Sequence, residues 1–156
     1  MRRDVATDPI EPRTNANRAI ILLAVAAFAS AATTRICDGL LPQLASEFRV
    51  TPGEAAIVAI AYSLTYGLLQ PAFGIAGDRY GKYRLILICC VMSLVTTAAC
   101  AMAHSLSALA FARLAAGFAA AGIVPLALAW IGDSVAYNVR QTTIARFMTG
   151  QISGLI

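Results

Sequence analysis

The sequence predicts an all-α integral membrane protein. Two compositional facts and one pattern carry that assignment. Of 156 residues, 59% are hydrophobic and only 13% are charged, with a mean hydropathy of +0.72. Soluble domains carry about 25% charged residues, so too few charges are present to coat a water-soluble globule. The pattern is four long stretches almost free of charge, Ala19–Thr34 continuing to Ala45, Ala55–Ala76, Leu85–Ala103 and Leu106–Ile131. A bilayer-spanning helix needs about 20 mainly apolar residues, and each stretch supplies them. Intrinsic disorder is excluded by the hydrophobicity. The net charge of +4 does not mark a nucleic-acid binder, because of where the charges sit.

Taken in order, residues 1–18 hold two prolines and mixed charge, and read as a flexible cytoplasmic tail. Residues 19–156 form the transmembrane domain. Its expected helices span about 19–45, 52–76, 84–103 and 106–131, with a fifth begun over 141–156. Arg2, Arg3, Arg13, Arg18, Arg79, Lys82, Arg84, Arg140 and Arg146 fall on one side of this arrangement, and only Arg49 on the other. That bias places the N-terminus in the cytoplasm. The Arg-bearing start and the Ala29-Ser30-Ala31 triplet imitate a signal peptide, but the long acidic lead and the continuing apolar run argue against cleavage.

Local signals refine the ends. Thr51-Pro52-Gly53-Glu54 has the form of a capping box with proline at the first helical position. His104 and Ser105 leave room for only a tight hairpin. Pro71 and Pro125 each remove a backbone donor inside a span and are expected to bend it. Gly150 and Gly154 form a short GxxxG spacing. Cys37, Cys89, Cys90 and Cys100 fall within spans, lack metal-binding spacing and read as small buried hydrophobes. No nucleophile–base or metal-ligand constellation points to an enzyme, and no cofactor is implied.

Three features point to function. Arg35, Asp38 and Arg113 are charges within spans, which persist only when paired or facing water. Asp38 and Arg113 lie at similar depth, about 10 Å from the outer ends of their helices. They are candidates for an ion pair or for a shared contact with a charged ligand. Asp38 can equally pair with Arg35 on its own helix, and a structural clamp is the plain alternative. Tyr62, Tyr66 and Gln70, spaced by four, share one face of the second span. That face is expected to meet protein or a wet cavity. The third feature is the connection Gly74-Ile75-Ala76-Gly77-Asp78-Arg79-Tyr80-Gly81-Lys82-Tyr83-Arg84. Its glycines permit a tight turn, and Asp78 is placed to cap the following helix.

Gly-x-x-Gly-Asp-Arg-x-Gly-Lys-x-Arg resembles the signature loop of the major facilitator superfamily of secondary transporters. Asp38-x-x-x-Pro42, Gln70-Pro71-x-x-Gly74 and Arg113-x-x-x-Gly117 resemble further motifs of its proton-coupled efflux members. Ala76 and Tyr83 depart from the usual loop residues. The resemblance implies part of an N-terminal six-helix bundle in a bacterial cytoplasmic (inner) membrane. It implies a small-molecule substrate, protons as coupling ion, and a second transporter half as partner. By resemblance, the Gly74–Arg84 segment is a conformational gate, including Gly74, Gly77, Asp78, Arg79, Gly81, Lys82 and Arg84. Arg113, supported by Gly117, would tune the protonation of Asp38. Two rival readings are a truncated, transport-inactive product and a small four-helix protein acting as an oligomer or subunit.

Overall fold

The computed structural model describes residues 13–156, with side chains from Arg18 onward; most of the predicted tail lies outside the described residues. Helix α1 (Arg13–Phe48) begins ahead of the expected start at Ala19. It closes with Arg49 in the left-handed region, φ 54°, and Val50 N–H bonded back to the Ala45 carbonyl at 3.0 Å. Helices α2 (Pro52–Ala55) and α3 (Ile57–Tyr80) together form the second span. The capping box is present. Glu54 N–H donates to Thr51 Oγ1, and Thr51 N–H donates to Glu54 Oε2 at 2.8 Å. Helix α4 (Lys82–Ala101) returns, and Ser105 caps α5 (Leu106–Ala121) by accepting from Ala108 N–H at 3.2 Å.

The fourth span is interrupted. α5 ends at Ala121, and α6 (Ile123–Ser134) resumes after Gly122. Pro125 lacks the N–H that would bond the Ala121 carbonyl, so the ladder breaks where the sequence places the bend. Pro71, by contrast, lies within a helix that continues unbroken to Tyr80. Helix α7 (Tyr137–Ser153) follows. Among the described residues, four segments are long and apolar enough to cross a bilayer, namely 18–48, 52–80, 82–101 and 106–134. Among the described residues, all regular structure is α-helical.

The helices pack in pairs, α3 against α5, α1 against α7 and α4 against α5 and α6. Small residues set the approach. A Cβ on Gly154 would strike the Phe28 carbonyl, and one on Gly150 would lie 3.0 Å from Ala24 Cβ. The GxxxG spacing of α7 is therefore the seat of α1, as close backbone packing requires. The main core joins Leu23, Ala27, Ile86, Cys89, Ile123, Leu126, Ile131 and Phe147 from α1, α4, α6 and α7. Many large apolar side chains still face outward, among them Leu68, Ile75, Leu94 and Phe111, each 70% exposed or more. In lipid that exposure costs nothing, since acyl chains are as apolar as leucine.

Candidate functional site

Two clusters concentrate the polar groups. The first is built on α1, α3 and α5. Gly117 lies one turn beyond Arg113, and a Cβ there would run into the Tyr62 carbonyl and Thr65 Oγ1. Its absence lets α5 rest on α3 at Tyr62. The Arg113 guanidinium then extends over the Tyr62 ring, 4.2 Å from the centroid, and Nη1 donates to the Thr33 carbonyl on α1 at 3.0 Å. Tyr62 is fully buried and stacks on Tyr66 with centroids 5.8 Å apart. Its hydroxyl lies 3.2 Å from Thr34 Oγ1 and 3.5 Å from the Ser30 carbonyl. One guanidinium and one phenol thus tie three helices at a single level.

Arg113 is only 2% exposed, yet its Nε and Nη2 have no partner. Asp38 does not supply one. Its carboxylate accepts from Arg35 Nη1 at 3.2 Å, and both side chains are about half exposed. The expected Asp38–Arg113 pair is not formed, and the same-helix alternative is. Depth alone was matched; helical phase was not. Cys37, adjacent to Asp38, points into the bundle and is buried, which turns Asp38 about 100° away from the face that meets Arg113. Arg113 also lines a cavity of about 400 Å³ between α1, α4 and α5, with Thr33, Cys37, Thr97 and Cys100 among its walls. Gln70, two turns from Tyr62, is half-buried and lies away from this cavity.

The second cluster is the 74–84 segment. Its expected loop reduces to a single residue. α3 runs through Gly74, Gly77, Asp78 and Arg79, and α4 begins at Lys82. Gly81, at φ 90°, makes the reversal alone, a conformation that favours glycine. Gly77 serves close packing instead, since a Cβ there would strike Leu126; Gly74 faces open space. Asp78 is therefore not the cap of α4. It lies in the last turn of α3, and its Oδ1 meets Lys82 Nζ at 3.1 Å. Lys82 Nζ also pairs with Asp133 at the end of α6. Lys82 is the hub joining α3, α4 and α6. Arg84 borders the same surface hollow as Tyr83 and Trp130, whereas Arg79 lies over the Tyr80 ring at 5.7 Å.

Asp133 was missed from sequence, as were Ser30, Thr33 and Thr34. The available signals were an acidic side chain at the basic end of the fourth span and a run of hydroxyls inside the first. Among the described residues no cluster of three metal-ligating side chains occurs.

The sequence profile of the Major Facilitator Superfamily matches residues 23–156. The chain is 28% identical over 140 residues to the uncharacterized MFS-type transporter YwfA of Bacillus subtilis, covering 87% of this chain and 31% of YwfA. It is 27% identical over 138 residues to the putative multidrug resistance protein MdtD of Salmonella typhi, covering 86% and 29%. The efflux pump dotC of Dothistroma septosporum is 28% identical over 136 residues, covering 87% and 22%. Among solved structures, a bacterial homolog of the human lysosomal transporter Spinster, inward-facing and occupied, matches 91% of this chain and 30% of its own. That match has a TM-score of 0.70 at 20% identity, and it speaks for the fold. The chain thus spans less than a third of the length of these relatives. With the profile covering all but the first 22 residues and the four spans in place, the chain belongs to the major facilitator superfamily.

Proposed function

We propose that this chain is the part of a secondary transporter that carries one side of its solute path and its cytoplasmic gate. The transported solute is a small molecule, the direction is efflux, and protons provide the coupling. Names of two relatives, an efflux pump and a multidrug resistance protein, support the direction. The observation that carries the reading is Lys82 bridging Asp78 and Asp133. Three helix ends meet there, through a largely covered Lys82 and two exposed carboxylates. Such a contact is strong enough to define one state and weak enough to release. Alternating access rocks one helix bundle against another around the solute site, and the exposed Asp78 and Asp133 carboxylates are placed to exchange Lys82 for a cation of the other bundle as the two close.

On this reading Arg113, Tyr62 and Tyr66 belong to the solute and proton path. Asp38 is the carboxylate that takes up and releases the proton, with Arg35 as its resting partner. The basic end of the bundle, holding Arg18, Arg79, Lys82, Arg84 and Arg140, faces the cytoplasm of a bacterial inner membrane, in keeping with the basic-residue bias. The partner surface is a second transporter half. The test is efflux of preloaded radiolabelled benzoate from cells expressing wild type or Asp78→Asn, with insertion checked by immunoblot of the membrane fraction. Efflux is expected to collapse while insertion holds. Unchanged efflux in the variant would remove the gate assignment.

A further inference from the structure

Arg113 brings a full positive charge into the bundle with its bonding incomplete. Of its five N–H donors, those on Nη1 face the Thr33 carbonyl, while Nε and Nη2 have no acceptor. The face of the guanidinium is taken by the Tyr62 ring. Its edge is not. Among the described residues no carboxylate lies within salt-bridge distance of it, and Asp38 is held by Arg35. Nε and Nη2 form together the guanidinium edge that grips both oxygens of a carboxylate in parallel. A buried donor pair left open is costly to maintain, so its persistence calls for an acceptor.

The setting limits what that acceptor is. The adjoining cavity of about 400 Å³ is of ligand size, and its walls are mainly apolar, with Ile36, Leu40 and Leu109 among them. Two thiols, Cys37 and Cys100, and the hydroxyls of Thr33 and Thr97 add weak polar contacts. Glu47 lies at the far end, ten residues along α1 from Cys37 and so about 15 Å away. We propose that Arg113 is a carboxylate receptor and that the transported class is small organic monocarboxylates with an apolar body. This rests on the transport reading above and names its substrate class. Because Nε and Nη2 are shielded in this conformation, the carboxylate reaches them only as α1 moves against α5. Occupancy and helix movement are thereby linked.

Thiol protection tests the site in the purified chain in detergent, without any transport assay. Cys37 and Cys100 line the cavity, whereas Cys89 is buried in the main core. Alkylation by N-ethylmaleimide is followed residue by residue by mass spectrometry with benzoate, benzamide or benzylamine present. Benzoate is expected to half-protect Cys100, the more accessible of the two cavity thiols, at a concentration about tenfold below that of benzamide, with benzylamine weaker still. Arg113→Gln should erase the difference, and Arg113→Lys, which keeps the charge but not the two-donor edge, should lose most of it. Equal protection by benzoate and benzamide overturns the proposal, as does a difference that survives in Arg113→Gln. A benzoate preference seen only in Asp38→Asn assigns the edge to Asp38 and overturns it too. Should Arg113→Gln misfold, faster Cys89 alkylation reports it, and the wild-type comparison still decides. Failure of the Asp78→Asn efflux test would leave this binding result standing, so the two readings fail separately.

Discussion

The Arg113 guanidinium lies over the ring of Tyr62, 4.2 Å from its centroid, where an ion pair would ordinarily be sought. The aromatic face partly compensates a charge that is 2% exposed, and it does so without occupying the in-plane donors. A desolvated cation–π contact is worth about 2 kcal/mol. Tyr62→Phe retains the ring and loses the hydroxyl contact to α1, and should lower stability by about 1 kcal/mol. Tyr62→Leu removes the ring and should cost about 2–3 kcal/mol. Thermal unfolding in detergent separates the two; equal losses would show that the guanidinium does not depend on the ring.

Asp38 and Arg113 share a depth but not a face. Asp38 is tied to Arg35, and Arg113 to Thr33 and Tyr62. The stability cycle of Asp38→Asn, Arg113→Ala and the double variant should therefore be additive to within about 0.5 kcal/mol. A larger coupling would mean that the two side chains meet in the state being measured.

The glycines test how packing and turn-making divide. Gly117→Ala forces a methyl against the Tyr62 carbonyl and Thr65 Oγ1, and overpacking of that kind costs about 1–3 kcal/mol. Gly74→Ala meets nothing within 4 Å and gains helix propensity of about 1 kcal/mol. The two substitutions should shift the unfolding temperature in opposite directions. A loss at Gly74 would point to a neighbour that this chain alone does not supply.

What the sequence disclosed and what it hid follow from the same physics. Spans were legible because hydrocarbon demands long uncharged runs, and the Thr51–Glu54 cap because its side chains act within one turn. The break at Gly122 was legible because Pro125 cannot donate to Ala121. The Asp38–Arg113 geometry was not legible, because depth along a helix follows from residue number while the face presented depends on how α1 rolls against α7. That roll is set by Gly150 and Gly154 meeting Ala24 and Phe28, a long-range contact with only a short spacing to announce it. The 74–84 segment misled in the same way. Three glycines suggested a loop, yet Gly77 is a packing residue and Gly81 alone turns the chain. Asp133 escaped notice because its partner Lys82 lies 51 residues away.

Lys82 offers the sharpest separation of stability from function. Its partners Asp78 and Asp133 are 74% and 64% exposed, and exposed pairs contribute little to folding while salt screens them. Lys82→Gln should therefore leave the unfolding temperature almost unmoved. It should nevertheless free α3 from α6 at that end, which a distance measurement between spin labels at Arg79 and Ser134 reads directly. The wild-type distance distribution is expected to be narrow in low salt, and to broaden in the variant toward the form wild type shows in high salt. A variant with an unchanged, narrow distribution would mean that Gly77 packed on Leu126 holds the helix ends by itself. The charges would then play no part in the latch.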